Sequence, residues 1–261
     1  VGDAIQGHSS RQAEIVRPGE LFCRPGHLHD DLLRHLLNGK GQIAVALPGA
    51  TALFRRLKLD FCCGGQVSLR AAAEARGLDL PALLAELAKL ERDDTPPAES
   101  QPSALIDHIL QRYHQVHREQ LPELIRMARR VQAVHRDHPQ VPVGLAEHLE
   151  TMEVELLEHM AKEETVLFPM IKAGPPPFVV HPIGVMRNEH LQHGEALERL
   201  MALTQEATPP DGACNTWRAL YAGIAQLSDD LIQHIHLENN LLFPQFEPAS
   251  AAAAGCGCSG H

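Results

Sequence analysis

Residues 159–169 read HMAKEETVLFP, and residues 234–244 read HIHLENNLLFP. Both stretches begin with His, place Glu four residues later and end in Leu-Phe-Pro. A second pair precedes them in the same order, since His114-x-x-His117 is matched by His190-x-x-His193. The chain therefore contains one helical hairpin twice, with His-x-x-His on its first helix and His-x-x-x-Glu on its second. Two such hairpins packed together predict an antiparallel four-helix bundle with pseudo-twofold symmetry.

Apolar residues in the four predicted helices recur at alternating steps of three and four, which places them on one face of each helix. The stripe of the second helix is Leu145, Leu149, Met152, Leu156, His159, Glu163, Val166 and Met170, and that of the fourth is Trp217, Leu220, Ile224, Leu227, Leu231, His234, Glu238 and Leu241. The first helix contributes Ile106, Leu110, His114, His117, Leu121 and Leu124, and the third Met186, His190, His193, Leu197 and Leu200. His and Glu thus occupy positions where a core Leu is expected.

Two glutamates on these stripes need a positive partner. An unpaired buried carboxylate costs several kcal/mol, against a net domain stability of only about 5–15 kcal/mol. The stripes contain no Lys or Arg. A multivalent cation can neutralise both carboxylates, and a His and a Glu at positions i and i+4 point the same way, within chelating reach.

The donor types favour iron, with manganese second. The set contains imidazole and carboxylate but no thiolate, whereas structural zinc usually recruits Cys, and magnesium or calcium prefers oxygen ligands alone. Two Glu on facing helices can each bridge two ions, as in carboxylate-bridged di-iron bundles. His117 and His193 stay open as ligands, as partners of ligands or as packing residues.

Composition limits the other possibilities. Hydrophobic residues make up 44% of the 261 residues and aromatic residues only 4%, which favours packed helices over a sheet. A net charge of -10 argues against a nucleic-acid partner. The sequence contains no run of 18 apolar residues, so we do not expect a membrane-spanning helix. Two of the six cysteines are adjacent and two are one residue apart, which is a poor disulfide framework, so we expect a reducing cytoplasm.

Proline, glycine and composition divide the chain into five parts. We predict an N-terminal extension at 1–40 with a short helix at 28–37, a small helical domain at 41–92, a linker at 93–103, the bundle at 104–247 and a low-complexity tail with Cys256-Gly-Cys258 at 248–261. In the small domain we predict a first helix opening near Pro48, a second capped by Ser68 and ending at Gly77, and a third from Pro81 to Leu90. Proline-rich breaks at 139–142, 175–182 and 209–210 separate the bundle helices.

Two further motifs complete the pattern, namely DFCCGG at 60–65 and RYHQVHREQLPEL at 112–124. With these motifs and the two His-x-x-x-Glu…Leu-Phe-Pro segments, residues 45–247 resemble the iron-sulfur cluster repair di-iron proteins, also called the repair of iron centres or ScdA/YtfE family. Members of that family have a small N-terminal domain with a Cys pair, followed by a hemerythrin-like bundle. The resemblance implies the same order of domains here.

The resemblance also implies a site and a role. It implies two non-haem irons, bridged by carboxylates and in an Fe–O–Fe unit, held by His114, His159, Glu163, His190, His234 and Glu238, with Glu163 and Glu238 as the bridges. Four His is fewer than the oxygen-carrying hemerythrins use, which leaves open positions suited to reactivity or iron release. The implied role is repair of iron-sulfur clusters damaged by nitric oxide or peroxide. Its partners would be damaged iron-sulfur proteins, with nitric oxide or oxygen as small ligands.

Several alternatives remain open at this point. Cys62 and Cys63 are either a redox or iron-transfer pair or two small buried residues before a Gly turn, since adjacent cysteines close only a strained disulfide. Glu189 either lines an access path or lies on a solvated face. The rival functions are a sensor or carrier of oxygen or nitric oxide, and an enzyme that turns over nitric oxide or peroxide. The choice between monomer and homodimer is also open.

Overall fold

The computed structural model describes residues 39–47, 49–62, 65–90 and 101–247. These residues form helices and turns without a strand, apart from one isolated bridge between Gly39 and Ser68. The all-α prediction is therefore confirmed. The predicted helix at 28–37, together with Cys63 and the Cys-x-Cys tail, lies outside the described residues.

Four short helices make up the small N-terminal unit: α1 Lys40–Ala46, α2 Ala50–Arg56, α3 Leu69–Ala75 and α4 Leu80–Leu87. Ser68 caps α3 as predicted, because its side chain accepts a hydrogen bond from the Ala71 amide at 3.3 Å. Asp79 caps α4 in the same way. Helix α1 was not predicted from the sequence, because it has only seven residues and no capping side chain. A cluster of buried apolar residues joins the four helices, including Ile43, Phe54, Phe61, Leu69 and Leu87.

The bundle consists of four long helices, three of which contain a π-helical turn. The first is built from α5 Pro102–Ile109, the turn Leu110–His114 and α6 Gln115–Val134, and the second from α7 Leu145–Lys162, the turn Glu163–Leu167 and α8 Phe168–Lys172. The third is α9 Val180–Leu203, entered through the 3-10 turn Pro177–Val179. The fourth is α10 Asn215–Leu237, continued by the π turn Glu238–Leu242 and the 3-10 turn Phe243–Gln245.

The third helix begins inside the proline-rich stretch at 175–182, which was predicted to separate helices. Pro182 lies in its first turn, where the backbone N–H has no partner within the helix, so proline is tolerated there. The other two predicted breaks, at 139–142 and 209–210, lie between helices.

The π turns correct the predicted core stripes. A π turn holds one residue more than an α turn, so the buried face moves by one position across it. Val166, which the period of 3.6 placed in the core, is 51% exposed, whereas Leu167 is 1% exposed. The predicted core residues next to the three turns are wrong by one position: Ile109, Leu167, Ile171 and Leu242 are buried in place of Leu110, Val166, Met170 and Leu241.

The buried His and Glu residues lie between two apolar clusters of the bundle. One cluster includes Leu121, Leu156, Leu197, Trp217 and Leu231, and the other includes Ile109, Leu167, Phe168, Met186 and Phe243. On each bundle helix the polar positions fall between members of the first cluster and members of the second. Among the described residues, no helix is long and apolar enough to cross a membrane.

Candidate metal centre

All six predicted ligands converge inside the bundle, and none is more than 1% exposed. Their donor atoms form two groups, and within each group all donor atoms lie within 4.8 Å of one another. One group is His114, Glu163, His234 and Glu238, and the other is His159, Glu163, His190 and Glu238. Each group takes one His from each of two helices, and both glutamates belong to both groups.

The π turns coincide with these residues. Glu163 and Glu238 each begin a π turn, and His114 ends one. In the two glutamate turns the backbone N–H five residues later, from Phe168 or Phe243, donates to the glutamate carbonyl. Such single-turn bulges are frequent at functional sites, because the extra residue changes the direction of the side chains around it.

The distances between donor atoms fit a metal ligand set. The Nε2 atoms of His114 and His234 are 3.2 Å apart, and those of His159 and His190 are 3.1 Å apart. Nε2 of His190 lies 3.0 Å from Oε2 of Glu238. Neighbouring ligands at right angles around a metal about 2.1 Å away are themselves about 3 Å apart.

Three of the four carboxylate oxygens lack a hydrogen-bond partner. Both oxygens of Glu163 and Oε2 of Glu238 are buried without a partner in hydrogen-bond geometry, although imidazole nitrogens lie 3.0–3.4 Å from them. An uncompensated buried carboxylate is costly, whereas lone pairs that converge on one point are what a cation requires. The residues present therefore fit a metal.

A second ring of polar side chains fixes the orientation of three of the four imidazoles. Nδ1 of His114 lies 2.7 Å from Oε1 of Glu164, and Nδ1 of His159 lies 2.8 Å from Oε2 of Glu189. Nδ1 of His190 lies 2.9 Å from Oδ1 of Asn239. Because these oxygens only accept, each Nδ1 carries the hydrogen and the other ring nitrogen faces the centre.

Sequence reasoning missed Glu164 and Asn239 and left the role of Glu189 open. Glu189 neither lies on a fully solvated face nor serves only an access path, since it holds His159. The available signal was adjacency, because each of the three residues is next to a ligand in the chain. No partner is found for Nδ1 of His234, whose ring instead stacks on Tyr113 at 5.5 Å with 7° between the planes.

His117 and His193 lie beside the centre but belong to neither group. The ring of His117 is 5.4 Å from that of His234, and the ring of His193 is 4.9 Å from that of His159. Burial, aided by the neighbouring imidazoles, lowers the pKa of each to about 3. Both are therefore neutral at physiological pH and pack against the ligand histidines.

Without a metal, protons balance the buried carboxylates. Burial acts to lower the pKa of His159, but Glu163 and Glu238 outweigh it and raise that pKa to about 9. The pKa of His114 is raised in the same way, by Glu163 against the effect of burial. Burial and the neighbouring His114 lower the pKa of His234. A cation that binds here must displace the protons on His159 and His114.

The repeated Leu-Phe-Pro segments supply two aromatic walls. Phe168 packs on His114 with ring centroids 5.8 Å apart, and Phe243 stacks on His190 at 5.9 Å. Both phenylalanines are almost fully buried, at 2% and 0% exposed, so they exclude water from the ligands.

Two domain models and several relatives match the chain. The model of the hemerythrin HHE cation binding domain matches residues 105–246, and the ScdA_N model, described as a domain of unknown function (DUF542), matches residues 40–91. The iron-sulfur cluster repair proteins YtfE of Dickeya chrysanthemi and Musicola paradisiaca are 49% and 52% identical to it over 208 and 210 residues, covering 78% of this chain and 94% of theirs. That of Escherichia coli O81 is 50% identical over 207 residues, with the same coverage. The chain belongs to the YtfE family of iron-sulfur cluster repair proteins.

The family match agrees with the geometry of the site. The HHE model is named for cation binding, and its match contains both groups of His and Glu that could hold a metal. The DFCCGG stretch, the other YtfE-like mark of the sequence, lies within the ScdA_N match. Its Cys62 is 8% exposed and packs into the main apolar cluster of the bundle, with Sγ 3.3 Å from Oδ1 of Asp60.

Proposed function

We propose that this protein repairs iron-sulfur clusters damaged by nitric oxide or peroxide, and that it does so with two non-haem irons held in the bundle. The observation that carries the proposal is the pair of buried carboxylates shared by two groups of four donor atoms. Two shared carboxylates suit two metal positions bridged by Glu163 and Glu238. The names of the relatives support the repair function.

Each iron would take two histidines of its own. His114 and His234 would hold one, and His159 and His190 the other. Iron supplies one-electron redox chemistry and a metal ion that can be passed on. Two imidazoles and two shared carboxylates leave room for a small ligand such as nitric oxide or oxygen.

The surrounding residues of the chain prepare this site. Glu164 and Glu189 hold His114 and His159 in the tautomer that presents Nε2 to the metal. Arg118 and Lys162 in turn bind these carboxylates, at 2.8 Å and 2.6 Å. The same contacts lower the pKa of both acids against the effect of burial, so they stay ionised.

The small N-terminal domain at 41–92 would serve the transfer of iron or electrons through Cys62 and Cys63. Thiolates are softer ligands than His and Glu and can pass a metal on. The position of Cys62 against the bundle supports this role, because it is close to the ligand-bearing fourth helix. The partners would be damaged iron-sulfur proteins in the cytoplasm.

The test is recovery of activity in an iron-sulfur dehydratase inactivated by nitric oxide. Iron-loaded wild type should restore the dehydratase, and the variant Cys62→Ala/Cys63→Ala should keep its iron and Mössbauer spectrum but fail to restore it. Cys214→Ala is the matched control, since this partly exposed thiol lies outside both the Cys pair and the centre.

Three outcomes would contradict parts of the proposal. Equal repair by wild type and the double variant would make the Cys pair a packing feature. Reversible binding of oxygen or nitric oxide without repair would favour a sensor or carrier. Steady consumption of nitric oxide with an electron donor, again without repair, would favour an enzyme.

A further inference from the structure

Two consecutive asparagines hold the Cys62 loop against the bundle. Asn239 donates from Nδ2 to the carbonyl of Cys62 at 3.1 Å, and Asn240 donates from Nδ2 to the carbonyl of Phe61 at 3.2 Å. Asn239 is only 3% exposed. Both asparagines belong to the π turn that begins at Glu238. The loop of the small unit is therefore anchored directly on a turn that carries a metal ligand.

The same Asn239 also holds His190. Its Oδ1 is 2.9 Å from Nδ1 of the ring, while its Nδ2 reaches Cys62. One side chain thus connects a predicted iron ligand to the backbone of the cysteine loop. The chain of contacts runs from the metal centre through His190 and Asn239 to Cys62.

The other half of the bundle lacks this connection. The repeat places Glu164 and Thr165 where the fourth helix has Asn239 and Asn240. Glu164 holds His114 but turns its carboxylate to Arg118, and Thr165 is exposed and bonds the Ala161 carbonyl. A carboxylate cannot donate to a carbonyl, whereas an amide accepts at one atom and donates at the other. Only the amide can join a ring N–H to a peptide oxygen.

The contact is close-packed. A Cβ on Gly41 would overlap Oδ1 of Asn240, and a Cβ on Gly65 would lie 2.8 Å from the same atom. The ring of Phe61 meets the edge of His236 at 5.2 Å. Phe61 and Gly65 therefore pack closely on the π turn, without space for a larger side chain at Gly41 or Gly65.

We propose that Asn239 is a positioning residue that couples docking of the Cys62 loop to metal binding at the His159 and His190 position. A metal on Nε2 of His190 requires the ring hydrogen on Nδ1 and strengthens that donor. The donor fixes Oδ1 of Asn239 toward the ring and therefore Nδ2 toward the Cys62 carbonyl. With the hydrogen on Nε2 instead, the amide must turn over, and its oxygen then faces the carbonyl of Cys62.

The coupling is reciprocal, and it concerns only one of the two metal positions. If metal binding raises the equilibrium constant for docking of the loop by some factor, docking raises the affinity for the metal by the same factor. Release of the loop consequently loosens the iron next to His190, and not the one on His114 and His234, which has no such link. This inference rests on the proposed metal ligation but not on the repair activity.

The experiment measures alkylation of Cys62 by iodoacetamide, read from its peptide by mass spectrometry, in full-length protein with and without ferrous iron under anaerobic conditions. In wild type, iron should slow the alkylation of Cys62 by about tenfold, the equivalent of one buried hydrogen bond. Alkylation of Cys214 serves as the internal reference and should not respond to iron. Iron stoichiometry and far-ultraviolet circular dichroism are recorded for every sample.

Two variants separate docking from coupling. Asn239→Asp still accepts from His190 but sets a carboxylate against the Cys62 carbonyl. Cys62 should therefore react faster and no longer respond to iron, even at a ferrous iron concentration that saturates the variant. Asn240→Ala loosens the loop without touching His190, so Cys62 should react faster while its response to iron persists.

The outcomes are distinct. If wild type binds iron and Asn239→Asp responds to iron as wild type does, the coupling is refuted and the proposed function is unaffected. Loss of the iron response in Asn240→Ala as well would show that docking alone, and not Asn239, is responsible. Wild type that binds no iron overturns the metal centre and the coupling together.

Discussion

Replacing Glu163 with Leu tests both the ion pairs that this carboxylate forms in the metal-free protein and its role as a shared metal ligand. Glu163 is fully buried, and neither of its oxygens has a partner in hydrogen-bond geometry. Leu fits an apolar position on the helix and removes the charge. Removing one member of a buried ion pair costs about 3–5 kcal/mol, because the other member is left buried without its counter-charge.

For the metal-free protein at pH 7 we expect Glu163→Leu to lower the free energy of unfolding by roughly 3 kcal/mol, because His159 and His114 lose the carboxylate that balances their protons. In a protein of this size that corresponds to a fall in Tm of roughly 6–12 °C. The deficit should be larger in the presence of iron. Wild type gains stability from iron by mass action, whereas the variant has lost a ligand common to both positions and gains little.

The assay is thermal unfolding with and without ferrous iron, combined with iron analysis. Glu155→Leu is the matched control, because it makes the same exchange at an exposed position of the same helix. It should leave the iron content and the response of Tm to iron unchanged. The assignment of Glu163 as a shared ligand is refuted if Glu163→Leu retains two irons per chain. A metal-free variant at least as stable as wild type would show that the protonated histidines do not depend on this carboxylate.

Four further predictions concern the buried ionisable residues. His159→Ala and His234→Ala should disturb different irons in Mössbauer spectra, since the two residues belong to different groups, and loss of the same iron in both would contradict the duplicated hairpin. Iron uptake at pH 7 should release about one proton from His159 and a fraction of a proton from His114, and this release should decrease as pH rises past about 9. Iron uptake without proton release in a pH-stat would contradict this prediction. The metal-free protein should also lose stability from about pH 6.5 to 9, because the pKa of His159 is raised on folding and its contribution is complete only below the unfolded value. Asp230 shows the opposite pH dependence, because the hydrogen bond from Arg112 outweighs the effect of burial and lowers its pKa. Asp230→Asn should therefore lower the free energy of unfolding in urea by roughly 1.5–3 kcal/mol at pH 7. The difference from wild type should shrink as pH falls below about 4.

The duplicated motif was sufficient to predict the bundle and to place eight His and Glu side chains on its inner faces, and the family resemblance selected the six that the structure brings together. Its period is nearly that of an α-helix, and His and Glu at positions i and i+4 share a face whatever the neighbours are. The cap at Ser68 was equally local, since it needs only a hydroxyl and an amide three residues later. These features depend on residues close in sequence, so they were readable from sequence alone.

The errors in the predicted core stripes have a single physical origin. A π turn is not signalled by any particular residue type. The predicted stripes were therefore extended through Glu163 and Glu238 as if both helices were regular α-helices. Leu167 and Leu242 pack into the apolar cluster that includes Ile109, Phe168, Met186 and Phe243, next to the converging donors, and this packing accompanies the extra residue. Val166 was consequently placed inside while the structure exposes it.

The sequence by itself determined which side chains are candidate ligands, because His and Glu at core positions of regular helices can be recognised from the pattern alone. Only the tertiary structure decided what holds those ligands. Glu164, Glu189 and Asn239 act across helices, on His114, His159 and His190, at separations in the chain of 50, 30 and 49 residues. Their partners are set by which turns face one another in space, and the contact of Asn239 with Cys62 spans 177 residues. Hydrogen bonds of this kind have no period in the sequence, so they appear only once the chain is folded.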